Sequence, residues 1–280
     1  MNEPSILITG ASTGIGRECA LQLDGMGYRV YAGVRQPSDY KALGQGMSPR
    51  FSPIFLDVAK PEQIAEAVGI VKSQSGGFGL SGLVNNAGIG VVGPIELVPI
   101  DMWRRQFEVN VFGAAAVTQA FLPLLRQGRG RIVNIGSIAG KSSMPFGGPY
   151  NASKFALEAL TDSLRVELRP WRISVSIVEP GAVKTPIWEK SQKEAEAFFA
   201  QVDEEKMQLY KDPLAVFLRL AKEAEKNAVP PAIVANAVIH ALTARRPKAR
   251  YLIGADAKKR TLLERLPTSW RDRFLERYFR

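Results

Sequence analysis

Cysteine is almost missing from this 280-residue chain: Cys19 stands alone, so no internal disulfide can form, and a reducing compartment is the matching environment. Histidine is equally scarce, with His240 the single example. No zinc-binding signature is present, and no metal site is expected. No apolar run approaches the ~18 residues needed to cross a bilayer, so no membrane span is expected. A strand-like ILITG begins at Ile6, which leaves no room for a signal or transit peptide and makes the cytoplasm the expected location. Internal repeats and low-complexity tracts are also lacking. Hydrophobic and charged residues make up 46% and 23% of the chain, values that exclude disordered and fibrous classes.

What remains is one large domain, residues 1–280, long enough to bury a substantial core. The net charge is +10, and the segment from Lys258 to Arg280 supplies half of it, with eight Lys/Arg against three Asp/Glu. No helix-turn-helix, zinc or RNA-binding signature accompanies this charge, so nucleic acid is not the expected partner. Solvated surface charge and an anionic cofactor account for it.

Strand-like and helix-like runs alternate from the first residues. SILITG stops at Gly10 as a buried parallel strand does. Ser12, Thr13, Gly14, Ile15 and Gly16 follow and open a helical pattern that runs through Leu23. Glycines between a strand and a helix let the backbone approach a pyrophosphate on the free N–H groups of the helix start. YRVYAGVR is a second strand, ending in Val34 and Arg35. An acid there would bind ribose hydroxyls and a cation would pair with a 2′-phosphate, so Arg35 favours NADP(H) over NAD(H). The alternative is an exposed arginine stacked on adenine. FSPIFLDV is a third strand, with Asp57 placed to accept from the adenine amine.

A helix follows over PEQIAEAVGIVKSQ, and then GLSGLVNNAGIG runs from a fourth strand into Asn86 and Gly88. Small residues there allow close passage beside a cofactor, or Asn86 braces the backbone. Residues 101–127 read as one long helix with Asn110 in its middle, a position of poor propensity for asparagine. Arg131–Ser137 is a fifth strand, 150–168 a helix, and Arg172–Glu179 a sixth strand leading into Thr185.

Tyr150 and Lys154 stand four apart, hence on one helical face. A free phenol titrates near pH ~10, and an ammonium one turn away is expected to draw it toward neutrality. Ser137 ends the preceding strand and can present its hydroxyl to the same pocket. A hydroxyl that orients a carbonyl and a phenol that exchanges its proton are what hydride transfer at a C–O carbon requires. By itself the pair also reads as an ordinary helix-surface contact.

Between about 186 and 229 the pattern turns helical and amphipathic, as a lid over the carboxyl edge of the sheet or as a packing or dimer helix. PPAIVANAVIHAL is a core helix carrying His240, read as a packed residue rather than a catalyst, and ARYLIG is a seventh strand. The basic tail, about 258–280, sets Trp270, Phe274 and Tyr278 at helical spacing beside arginines. It either docks on the domain or a partner subunit, or lies on an anionic membrane surface.

TGASTGIG, NNAG, Asn110, Ser137, YNASK and PGAVKT occur in this order from Ile6 to about Gly254. Through them the chain resembles the short-chain dehydrogenase/reductase family, in particular its hydroxysteroid and retinol dehydrogenase branch. The resemblance implies a Rossmann-like, doubly wound α/β sheet of about seven parallel strands with helices on both faces, plus the helical lid and tail. It implies an oxidoreductase with a nicotinamide cofactor and an Asn–Ser–Tyr–Lys tetrad, here Asn110, Ser137, Tyr150 and Lys154. Tyr150 would be the acid/base and Ser137 the orienting hydroxyl. Lys154 would also bind the nicotinamide ribose, Asn110 a relaying water, and Thr185 the nicotinamide amide. A bulky apolar alcohol or ketone is implied as substrate, with Met144, Phe146, Ile187 and Trp188 as candidate pocket residues, and a homodimer or homotetramer as assembly. Thr13 departs from the pattern, because many NADP-using members carry a basic residue there, so Arg35 carries the phosphate argument. A nucleotide-sensing scaffold with a partner-binding tail is the competing reading.

Overall fold

Seven short apolar runs form one parallel sheet in the computed structural model, which describes residues 3–279. Arg280 and the Tyr278 side chain, both part of the expected tail, lie outside the described residues. In chain order the first half comprises β1 (Ser5–Ile8), α1 (Gly14–Gly25), β2 (Arg29–Val34), α2 (Pro37–Gly44), β3 (Phe51–Phe55), α3 (Pro61–Gln74) and β4 (Gly82–Asn85). There follow α4 (Ile100–Phe107), a π-helical turn (Glu108–Phe112), α5 (Gly113–Gly128), β5 (Arg131–Ile135), a 3-10 turn (Ile138–Gly140) and α6 (Gly148–Glu167). A short 3-10 turn (Arg169–Trp171) leads to β6 (Ser174–Pro180), α7 (Ile187–Phe199), α8 (Glu204–Lys226), α9 (Pro231–Thr243), β7 (Arg250–Ile253), α10 (Ala255–Leu263) and α11 (Thr268–Phe279).

The strand order is β3-β2-β1-β4-β5-β6-β7, all parallel. Because both faces are covered, the central strands β1, β2 and β4 are mostly apolar rather than alternating. Ile6, Ile8, Val30 and Val84 pack under α1 and α9, against Leu23, Val234 and Val238. Leu7, Tyr31, Leu83 and Ile132 point the other way, toward Val71 of α3 and Val117 and Phe121 of α5. The order reverses between β1 and β4, which opens a crevice at their carboxyl ends where ligands of such sheets bind.

Four expectations change. The helix expected over 101–127 spans Ile100–Gly128 but is interrupted by the π-helical turn. By length and composition it could cross a membrane, yet half of its apolar window is buried in the fold. The short helix α2 was not evident from the sequence. His240 is exposed rather than a core residue; its Nδ1 lies 2.8 Å from the Tyr251 hydroxyl, a structural bond to the last strand.

The lid segment is helical as expected, and its two ends are pinned together by a parallel bridge between Val183 and Val229. The tail starts a few residues earlier than expected, at Ala255, and α11 packs along α8, so it docks on its own domain.

Candidate active site

The glycine-rich turn after β1 is held by Asn86. Its amide donates to the carbonyls of Thr9 and Gly10, each at 2.9 Å, so the side chain braces the turn, the backbone role left open above. A Cβ on Gly16 would lie 2.4 Å from that amide nitrogen and 2.5 Å from the Gly10 carbonyl. Only glycine allows the start of α1 to come so close. Gly14 has φ +58°, and a Cβ there would meet the Thr185 methyl at 3.0 Å. Two residues far apart in sequence therefore flank one crevice. Ser12 is half-buried in the same turn, and Ile15 packs into the core below it.

This cradle fits a dinucleotide, because its close backbone and free helix N–H groups suit a pyrophosphate. Further along the edge, Arg35 is exposed at the end of β2 and has no carboxylate partner among the described residues. Asp57 is half-buried, and its Oδ1 accepts from the Ala59 N–H at 3.1 Å.

Asn110 sits on the π-helical turn, where one extra residue re-aims the helix face; such turns are frequent at functional sites. It is buried, its Oδ1 accepts from the Ile89 N–H at 2.9 Å, and its Nδ2 donates to the Ile89 carbonyl and to Ser153 Oγ. Ser153 in turn donates to the Tyr150 carbonyl at 2.8 Å. Both amide hydrogens are thus committed, and a water would find only an acceptor on Asn110. Gly88 lies beside it: a Cβ there would be 3.4 Å from Asn110 Oδ1 and 3.9 Å from Lys154 Nζ. Asn110 and Lys154 therefore meet beside Gly88.

Tyr150 is half-buried, with the Ser137 hydroxyl near enough to bond its phenol. Ser137 caps the 3-10 turn, accepting from the Ala139 N–H at 3.1 Å. Burial pushes the phenol above its ordinary value, and the Ser137 bond and then the Arg260 charge pull it back. The expected cause is different. Lys154 stands 5.8 Å from the Tyr150 ring centre, is buried, and donates to the Ile135 carbonyl at 2.8 Å. Burial lowers it to about 8, against the pull of the Glu158 carboxylate. An ammonium that itself tends to lose its proton is a weak lever on a phenol; the second cation near Tyr150 is Arg260.

Arg260 was missed because the tail's charge read as solvated surface. In fact it is half-buried and donates to the Ser142 carbonyl and hydroxyl, in the loop before Tyr150. Nothing local marks it among eight tail cations.

The candidate substrate residues lie in that loop and in the helical segment after β6. Phe146 has a left-handed backbone, φ 64°, unusual for a side chain of this size. Its ring meets Tyr210 and Phe217 of α8 and Phe279 of α11, with centroids 5.7–6.5 Å apart. Met144 contributes its carbonyl, accepting from Asn151 Nδ2 at 2.9 Å. Ile187 and Trp188 open α7, and the Trp188 indole is tied back to the Val183 carbonyl at 2.9 Å. A Cβ on Gly90 would touch Ser191 of α7 at 2.8 Å and the Tyr150 ring at 3.8 Å, which puts the lid directly against the catalytic edge.

Comparison with known proteins is consistent with this geometry. The family described as short chain dehydrogenase matches residues 4–196. Retinol dehydrogenase 5 of Mus musculus is 41% identical over 259 residues, covering 90% of this chain and 81% of its own. Human (Homo sapiens) 11-beta-hydroxysteroid dehydrogenase type 2 is 38% identical, covering 98% and 70%. A short chain dehydrogenase from Burkholderia cenocepacia J2315, solved in complex with NADP, superposes with a TM-score of 0.75 at 25% identity, covering 98% of each chain.

Proposed function

This chain belongs to the short-chain dehydrogenase family, in its hydroxysteroid and retinol dehydrogenase branch, and is an oxidoreductase of alcohols and carbonyls; from that premise we propose an NADP(H)-dependent enzyme that interconverts an alcohol and a ketone or aldehyde on an apolar substrate. The observation that carries the proposal is the meeting of Tyr150 with two buried polar side chains: Lys154 Nζ lies 5.8 Å from the Tyr150 ring centre, and a Cβ on Gly88 would stand 3.9 Å from that Nζ and 3.4 Å from Asn110 Oδ1.

When bound, the nicotinamide supplies or accepts the hydride. Gly10, Ser12, Gly14, Ile15, Gly16, Asp57, Asn86, Gly88 and Thr185 would line its cradle, and Arg35 would pair with a 2′-phosphate. In the reducing direction Tyr150 gives its proton to the substrate oxygen, and in the oxidising direction it takes that proton back. Ser137 holds the same oxygen in place. Lys154 steadies the phenolate left after proton transfer, and Asn110 fixes the backbone opposite through Ile89. NADP(H) is favoured because a cation with no carboxylate partner closes β2, and the NADP-bound neighbour and an NADPH-dependent relative of 34% identity support that reading. A homodimer or homotetramer through α5 and α6 completes the proposal.

Tyr150→Phe tests it. Loss of the proton donor should lower turnover by about 10²–10⁴ while fluorescence titration shows NADPH binding unchanged. Titrating NADH alongside should give weaker binding. Full activity in the variant would remove Tyr150 from the mechanism, and equal affinities would remove the cofactor preference.

A further inference from the structure

Arg260 carries more than it needs as a structural tie. A guanidinium has five N–H donors. Among the described residues two are used, Nε to the Ser142 hydroxyl at 3.4 Å and Nη2 to the Ser142 carbonyl. The carboxylates whose charge reaches it are engaged elsewhere. Asp256 Oδ2 accepts from the Ala182 N–H at 2.8 Å, and Glu264 pairs with Arg271 at 2.6 Å. Among the described residues Arg260 makes no ion pair. Through Ser142 it is tied to the 3-10 turn that Ser137 caps, and its charge lowers the Tyr150 phenol. Ser142 itself is buried and fixed to the 3-10 turn that follows Ser137, its N–H donating to the Ile138 carbonyl at 2.9 Å.

A half-buried cation held against the turn that Ser137 caps, with donors unused among the described residues, is suited to one ligand chemistry. Covering it with a neutral group would strip water from the charge with no return, at a cost of several kcal/mol by general estimates. An anion would instead make charge-assisted, planar hydrogen bonds with the free edge of the guanidinium. Four residues after Ser142, Phe146 enters the ring cluster with Tyr210, Phe217 and Phe279, which offers an apolar wall.

We propose that Arg260 is a substrate-recognition residue, and that the pocket takes an amphiphile with an anionic head group close to the reacting C–O carbon and an apolar chain along the rings around Phe146. The proposal rests on the alcohol–carbonyl reading of the same site and narrows its substrate class to carboxylated, sulfonated or phosphorylated lipids. The tail is then part of the active site, because α10 brings the anion-binding group to it.

The test reads binding rather than turnover. Dodecanoate, dodecyl phosphate and dodecanol, each below its micelle concentration, are titrated by calorimetry into the full chain with NADP present. The wild-type protein should bind both anions at least about tenfold tighter than the alcohol, the worth of one good charge-assisted pair. Arg260→Gln, which keeps a donor for the Ser142 carbonyl but no charge, should lose that preference and leave dodecanol unchanged. Arg260→Lys should keep part of it. Parity between dodecanol and the anions in the wild-type protein overturns the proposal even if the glutamine variant does not fold. So does an anion preference that survives in Arg260→Gln. An inactive wild-type enzyme would count against the oxidoreductase reading alone, since the calorimetry does not depend on catalysis.

Discussion

Burial works against the charged forms of Lys154 and Glu158, one and two turns past Tyr150 on α6. One turn past Lys154, Glu158 is buried and faces Glu179 across the sheet edge, with Arg250 at 3.2 Å from both and Lys141 at 3.2 Å from Glu179. Desolvation, then the charge of Glu179 and the hydrogen bond to it, push Glu158 up to about 7. The folded protein thus keeps a proton that the unfolded chain releases near the ordinary value of 4.5. Between those two values the folded state binds more protons, so this group's contribution to stability falls as pH rises. Glutamine has no proton to lose. Glu158→Gln should therefore gain on the wild type by about 1–3 kcal/mol between pH ~5 and ~8, read as the difference between the two urea midpoints at each pH. A gap that stays constant across the window would show that Glu158 titrates normally. None of this could be read from the sequence, because the repulsion arises between α6 and β6, whose pairing only the fold creates. Tyr150 and Lys154 were legible, since four residues along a helix fix their face. Arg260 was not, since an arginine that turns inward has the same local pattern as its solvated neighbours.

Strands and long helices were legible for a simple reason: buried parallel strands are short apolar runs between glycines and turns, and α3 carries its own proline start. The π-helical turn is different. It adds one residue to a helix without changing composition, and so shifts the downstream face while leaving no mark in the apolar pattern. Its purpose becomes clear from Gln106 and Asn110 together. Gln106 Oε1 accepts from the Val91 N–H at 2.6 Å and its Nε2 donates to the Ile89 carbonyl at 2.8 Å, while Asn110 takes both polar groups of Ile89. The two amides replace a missing strand partner for residues 89–91, which run past the cofactor crevice. Removing one should expose that dependence. Asn110→Ala leaves the Ile89 N–H and Ser153 hydroxyl short of a partner, at a cost of about 1–3 kcal/mol. Beyond lowering the melting temperature, it should weaken NADPH binding, because Gly88 loses its lateral support. Unchanged cofactor affinity in a destabilised protein would confine Asn110 to folding.

At the scale of the molecule, charge is unevenly distributed. It crowds the tail and the lid, yet one outward stripe of α6, Phe155, Ala159, Ser163 and Val166, has none, and all four side chains are exposed. The neighbouring helix continues the pattern with Phe112, Gln119 and Pro123, again exposed and uncharged. Phe112 is 57% exposed and Val166 60%. Depletion of charge with aromatic residues retained is the mark of an interface core, and two such helices meeting their own copies would form a closed, isologous four-helix contact. Phe155→Glu sets this apart from ordinary surface apolarity. In a monomer the change touches only solvent and should alter stability by no more than ~0.5 kcal/mol. Across a two-fold axis it buries two carboxylates near each other, and light scattering after gel filtration should show the mass halved or the tetramer reduced. A wild-type protein that already elutes as a monomer at the concentrations used would remove the interface, and with it the assembly proposed for the enzyme.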